Sequence, residues 1–342
     1  MVSLYSGAGG MDFGFIDAGF VPVWSNDVDP TAVETYRKQI GQTGVPSHDI
    51  TVGDIRDVQL PKRGAAELVI GGPPCQGFSV AGHMDPNDPR SRHIWEYMRV
   101  VERVNPAAFV MENVKALAVN RRWSGTFEAL QAEATRLGYD VSSHVLNAAH
   151  FGVPQSRERL FLIGVPRGCA PPVPRPVTLV DKPSVRSALT RLPAFGQPGN
   201  DSICTARITM AKTPVLRRSP YAGMLFNGHG RPLDVESPAP TLPATMGGNR
   251  TPIIDQGHLD GGEPWIIQYH QRLWEHGEAP LTDTPACLRR LTVEEAAAIQ
   301  TFPREMYWSG SQCAQFRQIG NAVPVTLAYH VALAVRESLL SG

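Results

Sequence analysis

The sequence predicts an α/β fold, with an open sheet in its first half and a smaller, basic domain after it. Three observations predict this. A strand-like segment, a glycine-rich turn and a helical segment follow one another within residues 1–19. Short apolar runs farther on end in Asp, Cys or Glu, as buried parallel strands do where their carboxyl ends line a site. At Pro166 the composition turns Pro-rich and then basic, which reads as a linker leading into a second domain.

The elements follow in order. Val2 to Tyr5 is a strand, Ser6-Gly7-Ala8-Gly9-Gly10 a turn, and Met11 to Gly19 a helix closed by Gly19. Strand, turn and helix in this order bring a ligand to backbone N–H groups at a helix N-terminus. Val21 to Asn26 is a second strand, ending in Asp27-Val28-Asp29, where a ribose hydroxyl pair is commonly held. Thr31 to Gln39 is helical. Gly53-Asp54-Ile55 ends a third segment, and a carboxylate there can accept from an exocyclic amine. The alternative is that Asp27 and Asp54 are turn residues.

Leu68 to Ile70 is a buried strand that runs into Gly71-Gly72-Pro73-Pro74-Cys75. The prolines fix φ at two successive residues, so Cys75 is held stiffly at a carboxyl end, as a nucleophile needs. The bland alternative is a small buried hydrophobe. Residues 81–92 are polar and rich in Pro and Asp, as a lid beside a nucleophile would be. His93 to Val104 is a helix, and Ala107 to Met111 a strand ending in Glu112. Phe127 to Leu137 is a helix, Asp140 to Asn147 a strand, and Leu160 to Val165 another. Before that last strand, Arg157 and Arg159 share one face of an extended segment; a surface ladder of ion pairs is the alternative. From Pro166 to about Pro285 the chain is loop-rich. Leu291 to Phe302 is an amphipathic helix capped by Thr292, and Gln318 to Pro324 opens a last helix, Val325 to Leu339.

The totals set bounds. The chain has 342 residues, 42% hydrophobic and 19% charged, as a soluble globular protein has, and its length suits one large domain plus a smaller one, or two domains. No apolar run is expected to span a membrane, and no leader is apparent at Met1. The cysteines Cys75, Cys169, Cys204, Cys287 and Cys313 lie far apart, so neither a disulfide framework nor a zinc site is expected, and a reducing cytoplasm is. The net charge is zero, but residues 1–60 hold eight acidic and three basic side chains, and residues 182–254 nine basic and three acidic. An acidic half facing a small cationic or polar ligand and a basic half facing a polyanion account for that asymmetry; a solvated surface is the alternative.

Six ordered motifs together resemble the cytosine-C5 DNA methyltransferases. They are Leu4 to Gly10, Gly72 to Ser79, Glu112-Asn113-Val114, Gln155 to Arg159, Arg290 to Pro303, and Gln318 to Pro324. One departure is Tyr5, where the family usually carries Phe. The resemblance implies a Rossmann-like mixed sheet of seven strands that binds S-adenosylmethionine (SAM), facing a smaller target-recognition domain across a DNA cleft. The expected boundaries are 1–180 for the catalytic domain, completed by the helix 318–342, and 181–317 for target recognition.

The resemblance further implies that Cys75 attacks carbon 6 of a flipped-out cytosine, that Glu112 donates to or protonates ring N3, and that Arg159 binds the exocyclic oxygen. Arg157 is expected to be structural. The SAM site is implied at Tyr5, Ser6, Gly7, Ala8, Gly9 and Gly10, with Asp27 and Val28 at the ribose, Asp54 and Ile55 at the adenine, and Pro74 and Asn321 completing it. No metal is implied. The implied partner is double-stranded DNA, with a restriction endonuclease of the same site as companion and no membrane; the chain is expected to act as a monomer. A transfer-RNA methyltransferase on the same core and a catalytically silent DNA-binding protein are the rivals. The basic insert favours DNA over the first, and the presence of Cys75 and Glu112 disfavours the second.

Overall fold

The structure, a computed structural model, describes residues 1–74, 92–177 and 183–341. The chain divides into two compact units. The first comprises Met1–Phe151, Arg157–Thr178 and Ala322–Gly342, the second Gly152–Ser156 and Leu179–Asn321. Relative to the expected boundaries, residues 152–156 and 318–321 fall in the second unit.

The first unit is built on one seven-stranded sheet. Its strands are β1 (Val2–Leu4), β2 (Trp24–Asp27), β3 (Asp49–Val52), β4 (Leu68–Gly71), β5 (Ala108–Val114), β6 (Tyr139–Asn147) and β7 (Glu158–Pro166). Their spatial order is β3-β2-β1-β4-β5-β7-β6. The first five are parallel, and β7 runs antiparallel between β5 and β6. β1 is followed in the chain by a neighbour on one side and later by β4 on the other. The order therefore reverses between β1 and β4, and such a reversal opens a crevice at the carboxyl ends of the strands.

The sequence explains the strands. Leu68, Val69 and Ile70 are an unbroken apolar run because both faces of β4 are covered, and all three are fully buried. The helix His93–Val104 buries Ile94, Tyr97, Met98, Val101 and Val104, one apolar stripe at helical spacing against the same core. Asp29 caps the helix Pro30–Ile40 by accepting from the Thr31 backbone N–H at 3.0 Å.

Several elements differ from expectation. β1 ends at Leu4, because Tyr5 turns into the left-handed region at φ +55°. β2 begins at Trp24, and Val21 and Val23 are exposed. β5 runs on through Glu112 to Val114, because β7 pairs with it there, Glu112 opposite Phe161 and Val114 opposite Arg159. The helix expected from Leu291 to Phe302 is shorter, Val293–Ile299, with Thr292 and Glu295 forming a capping box. The motif from Gln318 does not open the last helix. It closes a separate one, Gln312–Asn321, before Pro324 interrupts the chain and Val325–Ser341 begins. The stretch Gln312–Leu340 is long and apolar enough to cross a membrane, contrary to expectation, but most of it is buried inside the protein, as core helices are.

The second unit, expected to be loop-rich, has a core of its own. A hairpin, Met210–Val215 with Met224–Phe226, and the helix Trp265–Trp274 bury Met210, Leu225, Phe226, Ile266 and Tyr269 together. Ile253–Asp255 pairs with Leu288–Arg290, and Ala239–Pro240 pairs in parallel with Gln155–Ser156.

Candidate active site

At the carboxyl ends of β1, β2 and β3, three turns are laced together. Ser6 N–H donates to the Asn26 carbonyl at 3.0 Å, and Gly7 N–H donates to Asp27 Oδ2 at 2.8 Å. The other Asp27 oxygen accepts from Asp29 N–H at 2.8 Å. Burial raises the Asp27 carboxyl above its ordinary range, against the pull of these two N–H groups. Asn26, fully buried, donates from Nδ2 to the carbonyls of Thr51 and Gly53 at 3.0 and 2.9 Å. One amide thus fixes the end of β3 to the end of β2. Gly9 has φ +90°, and a Cβ there would stand 2.7 Å from the Tyr36 ring, so the turn rests directly on that ring. The Tyr36 hydroxyl donates to Asp12 at 2.9 Å, which also accepts from Ser3 at 2.9 Å. Asp12 is fully buried, and burial pushes its carboxyl up to about 6.

The remaining cofactor candidates are placed as follows. Asp54 is half-buried and chelated by Arg56 through two contacts of 2.9 and 2.6 Å, which hold its carboxyl down to about 2. Val28 is 65% exposed. The Ile55 side chain is buried in the core, and its carbonyl accepts from Arg99 at 3.0 Å. Asn321 ends its helix in the second unit.

At the ends of β4 and β5 the acid and the arginine meet. Arg159 Nε lies 3.0 Å from Glu112 Oε1, with both side chains largely buried. Burial raises the Glu112 carboxyl; the positive charges of Arg159 and Arg157 pull the other way and do not cancel it. Arg157 is 2% exposed, so the alternative of a surface ladder does not hold for it. Glu158, on the opposite face, pairs instead with Lys115 at 2.9 Å. A Cβ on Gly72 would lie 2.9 Å from Glu112 Oε2, so the carboxyl sits against the backbone of the Gly-Gly-Pro-Pro segment. Asn113 Nδ2 donates to the Pro73 carbonyl at 3.2 Å and holds that segment from the same strand. Cys75 itself, with residues 76–91, lies outside the described residues. Pro74, the last one before it, is half-buried.

Sequence reasoning gave no role of their own to Asn26, Asp12, Tyr36, Asn113 and His93. A polar residue at the inner end of an apolar strand is the signal that finds Asn26 and Asn113. Nothing in the sequence links Asp12 to Tyr36, because that contact exists only once two helices pack.

The family model for the C-5 cytosine-specific DNA methylase matches residues 1–337. The chain belongs to this family. It is a cytosine-C5 DNA methyltransferase, and its similarities cover nearly its whole length. The Type II methyltransferase M1.HphI of Haemophilus parahaemolyticus is 34% identical over 339 residues, covering 98% of this chain and 86% of that protein. M.FnuDI of Fusobacterium nucleatum is 30% identical, covering 99% and 94%. Among solved structures, the Dnmt2 methyltransferase of S. pombe superposes with a TM-score of 0.66 at 18% identity, covering 98% of each chain. A putative DNA modification methyltransferase from an E. coli prophage superposes at 0.67 and 20%, covering 99% of each. At that identity these two show the shared fold.

Proposed function

We propose that this methyltransferase uses SAM, bound at the crevice between β1 and β4, and that Cys75, Glu112 and Arg159 act together on a cytosine flipped out of duplex DNA. The observation that carries the reading is the Glu112–Arg159 pair lying against Gly72, three residues before Cys75. The residues fit the cofactor. A Cβ on Gly7 would meet nothing within 4 Å, so there is open space beside the turn, and the half-buried Asp27 and the chelated Asp54 offer carboxylates to hydroxyls and an amine. Tyr5, Ser6, Ala8, Gly9 and Gly10 are expected to complete that wall, with Val28, Ile55 and Pro74 as further contacts of the same unit. When bound, SAM supplies an electrophilic methyl group.

The chain's own residues prepare the acceptor. Cytosine carbon 5 is a poor nucleophile until a thiolate adds at carbon 6 and turns the ring into an enamine. Cys75 makes that bond and must lose its proton to do so. Negative charge then flows toward ring N3 and the exocyclic oxygen. Glu112, whose pKa burial raises, donates to N3 or passes it a proton in concert, and the Arg159 guanidinium beside it holds the oxygen. Loss of the carbon 5 proton lets Cys75 leave. The base must be out of the stack for any of this to occur.

The second unit reads the target. Arg207, Lys212, Arg217, Arg218 and Arg231 are exposed and pair with no carboxylate among the described residues, as phosphate-binding cations are expected to be. The segment Thr241 to Arg250 is the candidate for reading bases, with its exposed Asn249 and Arg250 as the side chains that would address base edges. The Type II relatives suggest a companion endonuclease of the same site, and the enzyme is taken to act as a cytoplasmic monomer. The test is duplex DNA carrying 5-fluorocytosine at the target. With SAM it forms a denaturation-resistant adduct, because fluorine cannot leave as a proton, and Cys75→Ser abolishes it. An adduct that persists in Cys75→Ser refutes the assignment.

A further inference from the structure

The Tyr5 hydroxyl is a group that Phe at this position would not offer. It lies 3.1 Å from His93 Nδ1 and donates toward the His93 carbonyl at 3.3 Å. The two rings meet edge to face, centroids 5.6 Å apart at 84°. His93 opens the helix His93–Val104, so this contact ties the turn after β1 to a different layer of the unit. The same helix reaches the adenine end of the crevice, where Arg99 donates to the Ile55 carbonyl and is itself held by Glu96 at 2.7 Å.

Tyr5 needs such a tie. Its φ of +55° is a left-handed conformation that an aromatic residue adopts at a cost. Its ring is only partly packed on the core, so packing alone leaves it some freedom. The hydrogen bond persists in either charge state of the imidazole. Neutral His93 accepts from the hydroxyl at Nδ1; protonated, it donates to the phenol oxygen, whose own proton turns to the His93 carbonyl. Burial lowers the His93 pKa, while Asp54 and Glu96 raise it and Arg56 lowers it. The contact therefore acts as a constant brace rather than a pH switch.

We propose that His93 is a positioning residue for the methyl donor, acting through the Tyr5 hydroxyl to fix the Tyr5 ring beside the sulfonium. This rests on SAM binding at the β1–β4 crevice. The test is calorimetric titration of SAM into the full-length protein and its Tyr5→Phe, His93→Ala, His93→Asn and Tyr5→Phe/His93→Ala variants. Loss of the bond weakens SAM by about three- to ten-fold in Tyr5→Phe and in His93→Ala, as for one neutral hydrogen bond. The double variant is no weaker than Tyr5→Phe alone, since losing the hydroxyl already removes every contact it makes with His93. His93→Asn, whose Oδ1 replaces Nδ1, restores affinity to within about two-fold. Additive losses, failure of Asn to rescue, or unchanged affinity in Tyr5→Phe overturn the role of His93. If the unaltered protein does not bind SAM, the cofactor reading itself is overturned.

Discussion

At Glu112, burial and charge pull in opposite directions, and burial wins. The carboxyl is thereby kept available as an acid to higher pH than a solvent-exposed Glu allows, while Arg159 keeps it oriented. Glu112→Gln is expected to lower kcat by about 10²- to 10⁴-fold with SAM affinity unchanged, measured by single-turnover methylation of a duplex target. In the unaltered enzyme the Glu112-dependent step slows as pH rises through the raised pKa, because the acid form is lost. Asp12 makes a parallel case for stability. Its folded value of about 6 lies above its ordinary 3.8, so folding favours the protonated acid. That contribution is fully present below pH 3.8 and is lost as pH rises through about 6. Asp12→Asn should therefore raise urea stability at pH 8 by on the order of 1–3 kcal/mol relative to its effect at pH 4. Equal effects at both pH values would refute the burial account.

At the scale of elements, the ends of the strands matter more than their middles. Asn26 joins two of them through two carbonyls, so Asn26→Ala strands both acceptors. It is expected to cost about 1–3 kcal/mol in denaturant unfolding and to weaken SAM binding as Asp27 and Gly53 separate. Unchanged affinity with reduced stability would confine Asn26 to a structural role. This is also where the sequence was legible and where it was not. β4 was plain, because a strand covered on both faces must be apolar throughout. The span of β5 was not, because Glu112, Asn113 and Val114 are held in the sheet by β7, whose pairing lies more than 40 residues away in the chain. The helix Trp265–Trp274 went unread, its stripe of Ile266, Tyr269 and Leu273 lost among polar and aromatic neighbours. Of the candidate site, the acid, the arginine and the glycine turn were legible from type and position. The supporting contacts were not, since a hydrogen bond between Tyr36 and Asp12, or Tyr5 and His93, depends on packing that no local pattern records.

For the whole molecule, the second unit has a separate core, Met210, Leu225, Phe226 and Ile266 among it, and is covalently inserted before the last helix. Replacing residues 179–321 with the corresponding region of a relative should leave SAM affinity within about two-fold and change the methylated sequence, read by bisulfite sequencing of host DNA. A chimaera that methylates the original sequence would place recognition in the first unit.

The last helix, Val325–Ser341, packs against the first, Gly10–Asp17, with no room for a side chain on Gly14, whose Cβ would lie 2.5 Å from the Val325 carbonyl. Seen from the ribosome, this contact is a timing device. The helix that follows the glycine turn is made before the inserted unit, and its packing partner after it. The first unit cannot close until the inserted unit has been synthesised. High sequence separation of this kind makes folding slow, since the loop must be closed before the contact rewards it. A nascent chain stalled anywhere before residue 325 therefore lacks a finished first unit.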